Sequence, residues 1–180
     1  MSTLSNYLES KSRFMSTVLR HKPELANLIL DKEGYCETTE LCKSLKISQQ
    51  DLEKIVISNE KQRFSFNNDK TKIRAAQGHS VKTVSVTFEK VDPPSELFHG
   101  TKEEFLSSIL KNGLIKGTRH HVHLSDNEKT AQIVADRRKG KSIILKIDSM
   151  FMRAEGINFY KSENGVFLTD FIDPKYIFVK

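Results

Sequence analysis

The run Val91-Asp92-Pro93-Pro94-Ser95 limits the fold of this chain more than any other feature of the sequence. Proline lacks the amide proton that a helix interior or a central strand needs, and it restricts the residue before it. Two in succession cannot continue a helix or sit inside a sheet. They predict a stiff linker dividing the 180 residues into a segment 1–92 and a segment 93–180, each large enough for a small core of its own. Hydrophobic residues make up 37% and charged residues 29%, as in a globular protein. No apolar run approaches the ~20 residues that span a bilayer, so no membrane partner is expected. Residues 1–12 lack the apolar centre of a secretory leader, which makes a cytoplasmic location the default expectation.

The pattern within each segment points to an α+β protein. In the first, Leu8, Phe14, Val18 and Leu19 repeat at helical spacing over residues 5–19, and Pro23 stops that helix. A second helix is expected over residues 39–45. A third starts at Ser48, where Ser48 and Asp51 form an acidic variant of the capping box, and it carries Leu52, Ile55 and Val56 on one face. Residues 63–66 and 72–75 alternate around Asn67-Asn68-Asp69-Lys70 and predict a hairpin, so the segment reads as winged-helix-like. Alternation over residues 83–88 predicts a further strand.

In the second segment residues 96–100 read as a strand. Thr101-Lys102-Glu103-Glu104 reads as a capping box opening a helix that stops at Gly113. Residues 121–124 form another expected strand, followed by a helix capped at Ser125 and ending near Gly140. Strands are expected over residues 142–147, 165–169 and 176–179.

The net charge is +6, spread as +4 over residues 1–90 and +2 over residues 91–180. This permits an anionic partner without requiring one. Cys36 and Cys42 form no CxxC pair and read as reduced structural thiols. The histidines are concentrated: four of six fall between His99 and His123, three of them in Arg119-His120-His121-Val122-His123. On a strand His121 and His123 share a face and His120 takes the other. No Cys and no evident Asp or Glu is interleaved, so no metal is expected there.

Other residues suit an anion. Arg119 follows Gly117, and a guanidinium matches phosphate oxygens as a planar fork. Arg20-His21 ends the first helix, where a cation also complements the helix dipole, so a purely structural role stays open. Gln77-Gly78-His79-Ser80 is a polar loop between strand-like runs. His99-Gly100-Thr101 ends a strand where a capped helix starts, a place that suits a phosphate or the polar edge of a ligand. Arg137-Arg138-Lys139-Gly140-Lys141 reads as a solvated helix end. Phe64, Phe66, Phe98, Phe159, Tyr160 and Phe167 read as core residues, one or two of which could instead stack on a base.

Taken together, seven stretches resemble the RNA 2′-phosphotransferase family, in that family's order. They are Leu19-Arg20-His21-Lys22-Pro23-Glu24, Leu30-Asp31-Lys32-Glu33-Gly34-Tyr35 and Asn59-Glu60-Lys61-Gln62-Arg63-Phe64. Ile73-Arg74-Ala75-Ala76-Gln77-Gly78-His79-Ser80 and Leu97-Phe98-His99-Gly100-Thr101 follow. The last two are Gly117-Thr118-Arg119-His120-His121-Val122-His123-Leu124-Ser125 and Glu163-Asn164-Gly165-Val166-Phe167-Leu168-Thr169. The resemblance covers nearly the whole chain. Its mild departures are Tyr35 and Phe167, where some relatives carry Trp.

The resemblance implies a winged-helix-like, RNA-binding lobe over 1–92 and an ADP-ribosyltransferase-like, NAD-binding lobe over 93–180. It implies a catalytic Arg-His-Arg-Arg tetrad of Arg20, His21, Arg63 and Arg119, with the active site in a cleft between the lobes. It places NAD, as a co-substrate, near His99, Gly100, Thr101, His123, Leu124, Ser125, Gly165 and Val166, with Gly78, His79 and Ser80 close by. The implied substrate is RNA bearing an internal 2′-phosphate, with spliced tRNA as the candidate, and no metal takes part.

In the implied reaction the 2′-phosphate attacks C1″ of NAD and nicotinamide leaves. The 2″-hydroxyl then attacks phosphorus, giving 2′-OH RNA and ADP-ribose 1″,2″-cyclic phosphate. Many ADP-ribosyltransferases carry a late catalytic Glu, whereas the centre of the Gly165-Val166-Phe167-Leu168-Thr169 run is apolar. A phosphate dianion needs no base to make it a nucleophile, so that absence is chemically consistent.

Overall fold

The structure, a computed structural model, describes residues 3–180, with side chains from residue 6 onward. The first two positions of the 1–12 stretch read for a leader lie outside the described residues. The protein is mixed α+β and forms two compact units, Met1–Thr87 and Phe88–Lys180. No helix among the described residues is long and apolar enough to cross a membrane.

The first unit opens with α1 (Thr3–Val18) and a short 3-10 turn at Pro23–Ala26. Then come β1 (Cys36–Glu37), α2 (Thr38–Leu45), α3 (Gln49–Ile57), β2 (Phe64–Phe66) and β3 (Lys72–Ala75). The strands pair antiparallel in the order β1-β3-β2, with Phe64 opposite Ala75. Ser48 caps α3 by accepting the Asp51 amide at 3.1 Å. The core joins Met15, Val18 and Leu19 of α1 and its end to Leu41, Leu45, Leu52, Ile55 and Ile73.

Phe14, expected on the apolar face of α1, is exposed, and Met15 is buried in its place. At about 100° per residue a seven-residue step from Leu8 returns within ~20° of the same side, whereas the six-residue step to Phe14 lands about 120° away. Burial holds Cys36 in its thiol form, pushing its pKa up to about 12 with help from Glu40, Glu37 and Asp31.

The strand expected over residues 83–88 is absent; that segment is irregular up to β4 (Glu89–Val91). Its alternation is one of burial alone, with Val84 and Val86 in the interior. The backbone bonds go to a turn instead of a ladder. The Ser85 amide donates to the Lys32 carbonyl at 2.6 Å, and the Thr87 amide to Glu33 Oε2 at 3.2 Å.

The second unit continues from β4 to β5 (Glu96–Lys102), α4 (Glu103–Asn112), β6 (Leu114–Ile115) and β7 (Val122–Leu124). It then adds α5 (Glu128–Ala135), β8 (Ser142–Asp148), α6 (Ser149–Ala154) and β9 (Phe159–Lys161). It ends with β10 (Phe167–Thr169), β11 (Phe171–Ile172), a 3-10 turn at Pro174–Tyr176 and β12 (Ile177–Val179). All pairings are antiparallel, in sheets ordered β4-β9-β10-β7 and β12-β8-β5, with a small β11-β6 pair. A bridge between Phe98 and Ser125 joins β5 to the end of β7. Pro93 and Pro94 connect β4 to β5 within this unit, and the Pro94 carbonyl accepts from Ser149 Oγ at 2.7 Å. Leu97, Leu124, Leu145, Ile147, Phe159 and Tyr176 fill the core.

Several expected boundaries move. Thr101 does not cap a helix: β5 runs on to pair Thr101 with Ile143 and Lys102 with Ser142, and α4 starts at Glu103 without a side-chain cap. Ladder bonds along seven residues outweigh one cap, worth ~1 kcal/mol. The α5 cap is Asn127, whose Oδ1 accepts the Thr130 amide at 2.8 Å, because Ser125 is held in its bridge to Phe98. That helix ends at Ala135, before Gly140. His121 precedes β7, Gly165 and Val166 turn into β10, and Tyr176 belongs to the 3-10 turn before β12.

Candidate active site

In the first unit one short loop organises three of the four tetrad candidates. Helix α1 ends at Val18, and Arg20-His21 occupy the turn beyond it, where the His21 amide donates to the Thr17 carbonyl at 2.9 Å. The Ser80 amide donates to the Arg20 carbonyl at 2.8 Å, and Ser80 Oγ lies 2.9 Å from His21 Nδ1. Arg20 is half-buried and His21 exposed. Arg63 stands just before β2, and its carbonyl accepts the Ala76 amide at 2.9 Å, one residue before the Gln77-Gly78-His79-Ser80 loop starts. The loop thus touches the main chain of Arg20 at one end and follows directly on a bond to Arg63 at the other.

His79 is the loop's internal support. Its ring is buried, and a Cβ added to Gly34 would come within 2.8 Å of its Nε2. Gly34 also has φ +80, so position 34 excludes a side chain on two counts. Asp31 Oδ1 fixes this turn by accepting the amides of Glu33 and Tyr35. Asn59, within the Asn59–Phe64 stretch, is a further support. It is buried, its Oδ1 accepts the Arg63 amide at 3.2 Å, and its Nδ2 donates to Ser12 of α1 at 3.2 Å. No local signal in the sequence marks it, since its side-chain partner Ser12 lies 47 residues away.

The second unit carries the remaining candidates. His99 lies on β5 and bonds through Nδ1 to the His123 carbonyl at 3.0 Å. A carbonyl only accepts, so Nδ1 holds the proton and Nε2 the lone pair. Burial first, and the positive charge of Arg119 second, lower the His99 pKa, so the ring is neutral near pH 7. His123 is oriented in the same way, Nδ1 toward the His121 carbonyl at 3.0 Å.

Ser125 is tied beside His99 by paired main-chain bonds to Phe98, at 2.8 and 2.9 Å. Leu124 is buried, so its side chain belongs to the core. Gly100 is a contact point for a helix: a Cβ there would stand 2.0 Å from the Ala131 carbonyl oxygen of α5. The glycine signal in His99-Gly100-Thr101 therefore has a packing cause. Gly165 closes a tight turn, its amide donating to the Ser162 carbonyl at 2.9 Å, with nothing within 4 Å of the place a Cβ would take; Val166 is half-buried beside it.

Arg119 sits exposed on the turn after Gly117, its amide donating to the Lys116 carbonyl at 3.2 Å. Surrounding protein mass lowers its pKa, and so do the charges of Arg138 and Arg137. It remains a cation throughout the physiological range. No group of three or more His, Cys, Asp or Glu that could hold a metal occurs among the described residues.

Each unit thus carries cations suited to an anionic group, and the second adds two histidines, His99 and His123, each oriented through Nδ1 by a main-chain carbonyl. The model of the RNA 2′-phosphotransferase, Tpt1 / KptA family matches residues 7–171. The chain belongs to that family. Its similarity to individual members runs end to end. A Fusobacterium nucleatum protein named probable RNA 2′-phosphotransferase is 51% identical over 170 residues, 92% of this chain and 94% of that protein. A Pseudomonas fluorescens protein of the same name is 44% identical over 175 residues, 94% of this chain and 96% of its own. One from Escherichia coli is 40% identical over 175 residues, 94% and 95% of the two chains. The family match encloses every candidate site residue from Arg20 to Val166.

Proposed function

We propose that this protein removes an internal 2′-phosphate from RNA by transferring it to NAD, giving 2′-OH RNA, nicotinamide and ADP-ribose 1″,2″-cyclic phosphate. Membership of the family supports the substrate class. The observation that carries the chemistry is the arrangement around the 77–80 loop, which fixes the backbone of Arg20 and places Ser80 Oγ 2.9 Å from His21 Nδ1.

A phosphate monoester carries about −1.5 to −2 charges at neutral pH. It is already a nucleophile, so the protein's work is to hold it and to stabilise charge on its oxygens. Arg20, Arg63 and Arg119 bind those oxygens with charge-assisted hydrogen bonds and set the line of attack. His21, with Nδ1 directed to Ser80, presents Nε2 to the phosphate. Negative charge on the phosphoryl oxygens during transfer to the second acceptor is stabilised by the same guanidinium groups.

The second unit suits a dinucleotide. His99 offers an acceptor nitrogen on a ring whose orientation is set by the His123 carbonyl. Thr101, His123 and the main chain of Leu124 and Ser125 continue that edge, and the turn at Gly165 is open where a Cβ would stand. NAD supplies the electrophilic C1″ with nicotinamide as leaving group and the 2″-hydroxyl that completes the transfer. His79 and Ser80, implied near NAD by resemblance, also support the phosphate end: the His79 ring is packed on the Gly34 turn and Ser80 on Arg20-His21. On this reading the first unit is the winged-helix-like RNA lobe and the second the ADP-ribosyltransferase-like NAD lobe. Spliced tRNA is the candidate natural substrate and the cytoplasm the compartment.

The test is a short RNA with one internal 2′-phosphate, incubated with and without NAD. NAD-dependent appearance of 2′-OH RNA, with nicotinamide and the cyclic phosphate in equal amounts, is expected. If the phosphate stays on the RNA whatever the NAD concentration, the proposal is wrong. Accumulation of ADP-ribosylated RNA without cyclic phosphate would instead define an ADP-ribosyltransferase that stops after the first step.

A further inference from the structure

Between α5 and β8 the chain runs Asp136-Arg137-Arg138-Lys139-Gly140-Lys141. Cations at a helix C-terminus complement the dipole, at 0.3–1 kcal/mol each within the last turn. That would account for a solvated helix end. Three features of the second unit go further.

The first is the loop's anchor. Lys102, the last residue of β5, is only 3% exposed, and its Nζ donates to the Gly140 carbonyl and to Ser142 Oγ, both at 2.8 Å. Ser142 Oγ donates in turn to Asp136 Oδ1, which also accepts from Gln132 Nε2 at 2.9 Å. A buried ammonium is unfavourable unless its protons are taken up. Here that burial locks both ends of the loop to β5 and α5.

The second is the loop's charge. Its acidic neighbours are engaged, Asp136 as described and Glu103 with Lys141 at 2.7 Å. Arg137, Arg138 and Lys139 are exposed, and none of the three forms an ion pair among the described residues.

The third is its position. Helix α5 rests on β5 at Gly100, one residue from His99. Arg137 and Arg138 are near enough to Arg119 for their charges to act on it. A rigid, unneutralised set of cations beside a phosphate-directed arginine is the arrangement of an anion site.

We propose that Arg137, Arg138 and Lys139 form a phosphate-binding loop that holds a substrate phosphate other than the one transferred. This rests on the phosphotransferase reading above. The shared chemistry is that of a phosphate diester or anhydride, and two sources carry it: a phosphodiester of the RNA strand and the pyrophosphate of NAD.

Equilibrium binding separates the sources and needs no turnover. The full-length protein and the R137Q/R138Q variant are titrated with a short single-stranded RNA lacking any 2′-phosphate, and separately with NAD. One of the two affinities should fall on the order of tenfold in the variant, with the melting temperature unchanged. A loss for the RNA assigns the phosphodiester, and its log-log salt slope should then shrink by about 1.4, since each neutralised phosphate contributes about 0.7 in a single strand. A loss for NAD assigns the pyrophosphate. Lys102→Met, which keeps both arginines, should weaken the same ligand if it folds. Unchanged affinity for both ligands in R137Q/R138Q, or wild-type protein that binds neither, overturns the proposal. Absence of NAD-dependent phosphate removal by wild-type protein, with the binding difference intact, would sink the phosphotransferase reading and leave the loop standing.

Discussion

The two units hold the cations proposed to bind phosphate by different means. In the first, Arg20 and Arg63 are fixed through their backbones by Ser80, Asn59 and Ala76, His21 is met at its ring by Ser80 Oγ, and Asn59 and Ala76 are buried. In the second, Arg119 is exposed, makes no ion pair among the described residues, and shares its surroundings with Arg137 and Arg138. One unit defines geometry and the other concentrates positive potential. Replacing residues in the two should therefore give different signatures.

The largest effect belongs to Arg119. Because its side chain reaches solvent and makes no ion pair among the described residues, Arg119→Ala should lower the single-turnover rate by about 10³-fold, the scale of a lost transition-state anion contact, while the melting temperature stays within about 1 °C of wild type. Arg20 is half-buried, so Arg20→Ala should cost both rate and stability. Equal loss of stability in the two variants would erase the contrast drawn here.

A smaller effect separates support from contact. Ser80→Ala removes the Oγ partner of His21 but keeps the amide bond to the Arg20 carbonyl. A fall in kcat of about tenfold is expected, with KM for RNA within twofold. Ser80→Thr, which keeps the hydroxyl, should recover most of the rate. A variant that loses stability while kcat stays intact would make Ser80 a structural residue only.

The sequence was most readable where one local interaction decides the outcome. The Ser48 cap, the Gly113 stop and the hairpin of β2 and β3 follow from residues within a few positions of each other, and they stand in the structure. The misreadings share a cause, which is that distant partners claimed the backbone. Thr101 and Glu104 satisfy a capping pattern, yet β8 pairs with β5 as far as Lys102. Residues 83–88 alternate as a strand does, yet the turn at Lys32-Glu33 takes their amides. The candidate site divides the same way. The basic residues stand out in the sequence, but their supports do not: Asn59 acts across 47 residues to Ser12, and Ser80 across 59 to His21. The glycine of His99-Gly100-Thr101 suggested room for a ligand, while its face is filled by Ala131 from a helix begun 28 residues later.

The smallest expected effect tests the second unit's histidines. The His99 pKa lies below its ordinary value of 6.5, chiefly through burial and then through Arg119. The unfolded chain therefore takes up a proton before the folded one does. Stability from keeping His99 neutral is complete above about pH 6.5 and declines as the pH falls from there toward the lower folded-state pKa. Below that value the contribution is flat. His121 is depressed in the same direction, mainly by burial, and adds to the slope. His99→Gln can still donate to the His123 carbonyl but does not titrate. Comparing melting temperatures near pH 8 and near pH 5.5, the variant should lose less stability than the wild type. An identical acid slope in the two proteins would show that His99 is not held neutral, and the acceptor role proposed for its Nε2 would fail with it.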